Sequence, residues 1–310
     1  MLKERKPLKP LRMACVLLAA MPAGTTLAGG SILKTHKPVV VDGVLDEPCW
    51  KRATPIRADY INSQQGVLSD RPRLVAKFAW DERFLYIAYE TFDRNLVTLA
   101  SGRKEGPPDS LREGCEIWHP EKKIDVIEFF ISFGSERFFW ELHHNAANQF
   151  NDIWCTVPDP SWPVSQSSIV TYGILFGFEM FLKDDGAHKL AKGIRLKPKA
   201  DGKPSTINDP SDTDTGYTAE LRLPWLGIGA PARRHTWIVR EEPEGRKTRE
   251  SGPWKMEGQE IIILSVVQDG DLAERYHHSS PTRKGGWFHT SASHWPRYKL
   301  SAEAAGQSAP

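Results

Sequence analysis

Residues 77–90, KFAWDERFLYIAYE, decide the fold. Upstream and into this stretch, Leu74, Ala76, Phe78 and Trp80 alternate with Arg73, Val75, Lys77 and Ala79. A period of two marks a strand with two distinct faces. Phe84 to Thr91 is rich in aromatic and branched residues and reads as a second strand. Asp81-Glu82-Arg83 between them turns the chain back. The pair is a hairpin, and the later apolar runs read as further strands beside it.

Working outward, Pro38 to Val41 reads as a short strand before the turn signal Asp42-Gly43. Asp125 to Phe133 (DVIEFFISF) reads as a strand buried on both faces except at Asp125 and Glu128, with Phe138 to Asn145 as its hairpin partner. Asn145 to Asp152 reads as a polar turn, and Ser168 to Phe181 as a Gly-interrupted strand. Tyr217 to Leu223 alternates cleanly, Thr236 to Val239 is strand-like, Ile261 to Gln268 (IIILSVVQ) is a fully buried strand and Tyr298 to Leu300 the last one. The polar stretches Ser101 to Lys123, Lys183 to Gly216 and Asp269 to Arg297 read as long loops. Many short strands without a convincing amphipathic helix predict an all-β protein: an antiparallel β-sandwich, jelly-roll-like, in one domain with long loop insertions.

Residues 1–28 have the pattern of an export signal. Lys3, Arg5, Lys6, Lys9 and Arg12 form a basic start, Met13 to Met21 is a short apolar run, and Thr26-Leu27-Ala28 supplies a cleavage site. The expected mature chain begins near Gly29 and is secreted or periplasmic. Residues 29–36 are expected to be a linker, 37–300 the sandwich and 301–310 a disordered tail. The apolar run is too short for a membrane span. Cys49, Cys115 and Cys155 remain after the leader, an odd count that allows at most one internal disulfide. A net charge of +2 gives no electrostatic case for nucleic acid or an anionic membrane.

The order of these signals resembles the family 9 carbohydrate-binding modules, relatives of the DOMON-type β-sandwich domains. The matching stretches are VDGVLDEPCW (41–50), WDERFLYIAYE (80–90), DVIEFFIS (125–132), YTAELRLPW (217–225) and WFHTSASHWPRYKL (287–300). The resemblance implies a sugar clamped between two tryptophans, with polar groups on nearby strands holding its hydroxyls. Trp118 matches the first clamp, although HPEKK (119–123) lengthens its spacing to Glu128, and Trp287 matches the second. Glu128 falls on the acidic strand position, and Glu141 and His143 on the next strand. Structural calcium is also implied, with Asp152 and Asp269 as available loop carboxylates.

The same residues carry that chemistry without the resemblance. An aromatic ring covers the apolar face of a sugar, and carboxylates accept strong hydrogen bonds from its hydroxyl rim. Asp125 and Glu128 lie three apart on one strand, so the pleat turns them to opposite faces. That makes them a poor glycosidase pair, which needs two carboxyls facing one bond. Asp125 therefore carries the least weight among the candidate residues Trp118, Asp125, Glu128, Glu141, His143 and Trp287. The expected function is a non-catalytic carbohydrate-binding protein that supports polysaccharide breakdown, its partner an oligo- or polysaccharide. The alternatives are a haem-binding electron-transfer domain, with Met180 or Met256 and a histidine as axial ligands, or a glycoside hydrolase using a pair such as Glu128 and Glu141.

Overall fold

The computed structural model describes residues 28–58, 60–61, 67–68, 73–98, 117, 124–133, 138–156, 169–172, 190–225, 228, 237–241, 247–251, 256–270, 274–277 and 295–302. The hairpin forms as the sequence predicts. Strand β5 (Leu74–Trp80) pairs antiparallel with β6 (Phe84–Thr91), Trp80 opposite Leu85. The Asp81 carboxylate makes the turn. Its Oδ1 accepts the backbone N–H groups of Arg83 (2.7 Å) and Phe84 (2.8 Å), and Oδ2 accepts the Tyr86 hydroxyl. This is the local side-chain-to-backbone bonding that favours Asp in turns.

Ahead of the hairpin come β1 (Ala28–Lys34), helix α1 (Pro48–Arg52), β2 (Ile56–Ala58), β3 (Tyr60–Ile61) and β4 (Val67–Leu68). After it come β7 (Val126–Ser132), β8 (Phe138–His144), β9 (Phe150–Thr156), β10 (Ile169–Tyr172), β11 (Ala191–Leu196) and β12 (Tyr217–Pro224). The chain ends through β13 (Trp237–Glu241), β14 (Lys247–Ser251), β15 (Glu260–Asp269), β16 (Glu274–His277) and β17 (Arg297–Ser301). Strands β13 and β14 pair separately, and the main ladder runs β10-β9-β8-β7-β15-β17-β1-β5-β6-β12-β11. No helix among the described residues is long and apolar enough to cross a membrane.

This one sheet makes both layers of the sandwich by folding over. Five inter-strand steps separate β7 from β6, about 24 Å on a flat sheet. Yet the rings of Tyr89 on β6 and Phe129 on β7 lie 5.6 Å apart, and Phe78 on β5 meets Phe129 at 6.0 Å. Between the two faces lies one core of Leu74, Phe78, Ile87, Phe129, Leu142, Leu221 and Ile263, among others. Burying such residues contributes roughly 1.5–3 kcal/mol each. A polar thread also crosses it. The Tyr89 hydroxyl meets His144 Nδ1, and His144 Nε2 meets Asn148 Oδ1 at 2.8 Å. With Nε2–H donating to the amide oxygen, Nδ1 is left to accept from the tyrosine, so the ring is neutral. Burial pushes the His144 pKa down to about 3.

Several expectations are corrected. Residues 29–36 are no linker: β1 lies in the middle of the sheet, parallel to both β17 and β5, so the sandwich is antiparallel except at this seam. Gly29 is required there, because a Cβ would stand 2.6 Å from the Tyr298 ring. Pro38 to Val41 is not a strand. The chain there leads into the Asp42-Gly43 turn, which presses on β11: a Cβ on Gly193 would meet Val41 O at 2.7 Å. The polar turn ends at Gln149, and Phe150 begins β9. Strand β11 lies within the stretch 183–216 that reads as loop, and β16 within 269–297. The 183–189 part of the former, like most of 101–123, lies outside the described residues.

The stretch 41–50 acquires a structural reason. Glu220, on the β12 face turned away from the core, accepts the backbone N–H groups of Asp42 and Gly43 (3.1 Å each) and the Trp50 indole N–H (2.8 Å). Trp50 packs with Ala79, Phe84 and Tyr86 on the outer face of the hairpin. Trp225 is tied back in turn, its indole donating to Asp81 O at 2.7 Å. Cys49 is a buried free thiol, and burial raises its pKa.

Candidate functional site

The second layer carries the candidate polar residues. Along β7, Ile127, Phe129 and Ile131 enter the core, which leaves Glu128 and Phe130 on the opposite face. On β8, Trp140 and Leu142 enter the core, which leaves Phe139, Glu141 and His143 on that same outer face. Register places His143 opposite Glu128 and Asn151 opposite His143, so Glu128, His143 and Asn151 form a row across β7, β8 and β9. Glu141 stands one row along, opposite Phe130.

Within this group His143 Nε2 donates to Glu141 Oε1 at 2.9 Å. Glu128, His143 and Asn151 are buried, whereas the Glu141 side chain is 20% exposed and forms the open rim. Glu141 and Glu128 are diagonal neighbours, a relation that puts Cα atoms about 7–8 Å apart. Beside Glu141, the rings of Phe130, Phe139 and Trp295 pack together, Trp295 lying 5.4 Å from Phe130 and 5.2 Å from Phe139. All three are buried, so they support the face and do not offer it a stacking surface.

Asp125 separates from the group, as the pleat predicts, and it also ends up buried. Its Oδ2 accepts the Val97 N–H (2.6 Å) and its Oδ1 the Gly270 N–H (2.7 Å). Both oxygens thus serve the backbone. Burial first, and then the nearby Asp93 carboxylate, push its pKa up to about 8, against the pull of these two N–H donors. It lines a cavity of about 10 Å³ with Arg73, Asp93, Tyr217 and Asp269, room for one water at most and far too small for a sugar.

The structure therefore brings together Glu128, Glu141 and His143. Trp118 and Trp287 lie outside the described residues. Asn151 joins the row without having been expected. The available signal was the alternation of Phe150 and Asp152 with Asn151, hidden inside what reads as a turn.

The residues considered for calcium and for haem lie elsewhere in the fold. Asp269 pairs with Arg73 at 3.0 Å, and Asp152 stands opposite Leu142 in the ladder, fully buried. Among the described residues no group of three or more His, Cys, Asp or Glu side chains is arranged to hold a metal ion. Met256 is buried in the apolar core, and His144 spends both ring nitrogens on Tyr89 and Asn148. Met180 lies outside the described residues.

Comparison with known proteins adds the following. No family model matches the chain, and no curated protein matches it in sequence. Among solved structures, a family 9 carbohydrate-binding module from Caldicellulosiruptor kristjanssonii in complex with cellotriose is 12% identical. The match covers 91% of this chain and 98% of that one, with a TM-score of 0.47. The same organism's module in complex with glucose is 11% identical over 90% and 100% of the two chains, with a TM-score of 0.46. A "putative carbohydrate-binding protein" from Bacteroides uniformis is 10% identical over 89% and 100%, with a TM-score of 0.52. That last likeness shows a shared all-β fold.

Proposed function

We propose that the chain is an exported, non-catalytic carbohydrate-binding protein that acts beside enzymes of polysaccharide breakdown. The observation that carries this reading is the polar row on the outer face of the second layer. Glu141 is open at the rim, bonded to His143, and flanked by Glu128 and Asn151 beneath it. A partly exposed carboxylate held by a buried histidine is oriented before any ligand arrives, and it accepts a sugar hydroxyl without first reorganising. The neighbours below it add to that order. Trp118 and Trp287 supply the ring surfaces against the sugar's C–H face. The fold shared with the Bacteroides uniformis protein supports sugar binding as the general activity.

The test is titration of the purified protein with a panel of neutral gluco-, xylo- and manno-oligosaccharides, followed by tryptophan fluorescence and calorimetry. The expected outcome is a saturable signal with one sugar class, weakened at least tenfold by Glu141→Gln. A folded sample that gives neither a fluorescence change nor heat across the panel would overturn the proposal.

A further inference from the structure

Residues 39–50 cross the outer face of the first layer as a strap, and two glutamates grip it. Glu220, fully buried on β12, takes the Asp42 and Gly43 N–H groups on Oε2 and the Trp50 indole on Oε1. Glu47, inside the strap, folds back to take the Val40 N–H on its Oε1 at 2.9 Å. Its other oxygen, Oε2, is buried, and no described residue donates to it. A buried acceptor left without a donor is costly, and each such atom in a native fold calls for a reason. Trp50 holds the two carboxyls near one another: its backbone N–H donates to Glu47 O at 3.0 Å while its indole reaches Glu220. The strap is also fixed by its carbonyls, Gly43 O accepting the Thr218 hydroxyl and Trp50 O accepting Lys77 Nζ at 2.8 Å.

The surrounding cations are engaged elsewhere. From β5, Lys77 stands in the same cross-strand row as Glu220, with Ala88 between them, but its ammonium is on Trp50 O. On β6, Tyr86 gives its hydroxyl to Asp81, and Glu90 takes Lys197. On β12, Arg222 lies over the Phe84 ring, and on β11, Arg195 stands one row along, opposite Thr218. Within the strap, Asp42 takes the Val44 N–H and Cys49 is a buried thiol. We propose that a proton bridges Glu220 and Glu47 Oε2 and fastens the strap, which makes residues 39–50 a pH-sensitive cover on the first layer. Both lone pairs of Glu220 Oε2 are taken by N–H groups, whereas Oε1 has one left beside the indole bond, so Oε1 carries the proton and donates it to Glu47 Oε2. With the strap open, Glu220 meets water and titrates near its ordinary 4.5; closing lifts it to about 7, chiefly by burial, with the Glu47 charge adding to the rise. Closing therefore takes up a proton. The strap is tightest at low pH, loosens by up to about tenfold per pH unit between 4.5 and 7, and changes no further above 7, where the bridge is gone. The device lies on the first layer, apart from the polar row, and does not depend on sugar binding.

The experiment is hydrogen exchange on the whole protein, read at the Asp42 and Gly43 amides and the Trp50 indole between pH 5 and 8.5 and corrected for the intrinsic pH dependence of exchange. Protection at these three sites should fall on the order of tenfold or more from pH 5 to 7 and then level off. Core amides such as Phe129 should not follow that profile, which separates opening of the strap from unfolding of the sheet. Glu47→Gln replaces the bridging proton with a permanent amide donor, so protection at the same sites should stay high and lose its dependence on pH. A flat profile in the wild type, or an unchanged profile in Glu47→Gln, would overturn the proposal; in the second case Glu220 titrates without its neighbour. If Glu47→Gln fails to fold, carboxyl-carbon NMR of the wild type decides: the Glu47 and Glu220 signals should move together at one midpoint, and two independent midpoints would contradict a shared proton.

Discussion

The two layers each present a glutamate on the face turned away from the core, and the two glutamates are used in opposite ways. Glu220 in the first layer is covered by the chain's own N-terminal segment, its oxygens filled by two backbone N–H groups and an indole. Glu141 in the second layer is open at the rim, and the partner on its Oε1 is a histidine from the same strand. The same residue type on the same kind of surface is a fastener in one place and a candidate contact in the other. What differs is exposure: the 41–50 segment closes over Glu220, whereas the Glu141 side chain keeps 20% of its surface open. Conspicuous acidic and aromatic positions in the sequence, such as Asp81, Trp50 and Trp225, turn out to be fasteners of the first kind.

The contrast can be broken by substitution. Trp50→Ala should have the largest effect. Removing a fully buried tryptophan costs about 3–5 kcal/mol, measured by chemical denaturation, with sugar affinity unchanged in the protein that remains folded. Next comes acid. His144 is held neutral in the folded state, its pKa well below the ordinary 6.5, so the unfolded chain binds the extra proton. Its contribution to stability is present above about pH 6.5 and is lost as pH falls toward 3. His144→Gln should flatten that limb of the stability–pH curve.

Glu220 slopes the other way. Burial lifts its pKa to about 7, against the pull of the Trp50 indole and the two backbone N–H groups. The folded state therefore holds the proton more tightly, and the associated stability declines as pH rises from about 4.5 to 7. Glu220→Gln should remove this decline, read as Tm against pH. The smallest effect is expected at the hairpin turn. Asp81→Ala should cost about 1 kcal/mol, since two backbone N–H groups there can turn to water.

Much of this arrangement was legible in the residues. Alternation at 74–80, unbroken apolar runs at 126–132 and 261–268, and the Asp81 turn give the strands that carry the core, and pleat parity alone separates Asp125 from Glu128. What stayed hidden has physical causes. Strand β1, AGGSILK, has two glycines and no alternation, and its parallel pairing depends on β5 and on β17 at the far end of the chain. Strand β9 begins Phe150-Asn151-Asp152, and burial of both polar residues defeats a pattern that equates polarity with exposure. Strand β11 mixes Lys192 and Arg195 with Gly193, which receives the backbone of Val41 and Asp42, so no clean alternation marks it. For the site, Glu128, Glu141 and His143 were readable as neighbours, whereas the role of Asp125 required knowing which backbone N–H groups reach it.

The most direct measurement is a crossed pair: Glu141→Gln and Glu220→Gln, each read for Tm and for affinity toward the sugar that the wild type binds. The expected result is a split. Glu141→Gln should lose at least tenfold in affinity with a smaller loss of stability than Glu220→Gln, because the amide oxygen still accepts from His143. Glu220→Gln should lose stability at low affinity cost. Equal affinity losses in both variants, or affinity unchanged by Glu141→Gln, would contradict the assignment of the second layer's outer face as the sugar-binding surface.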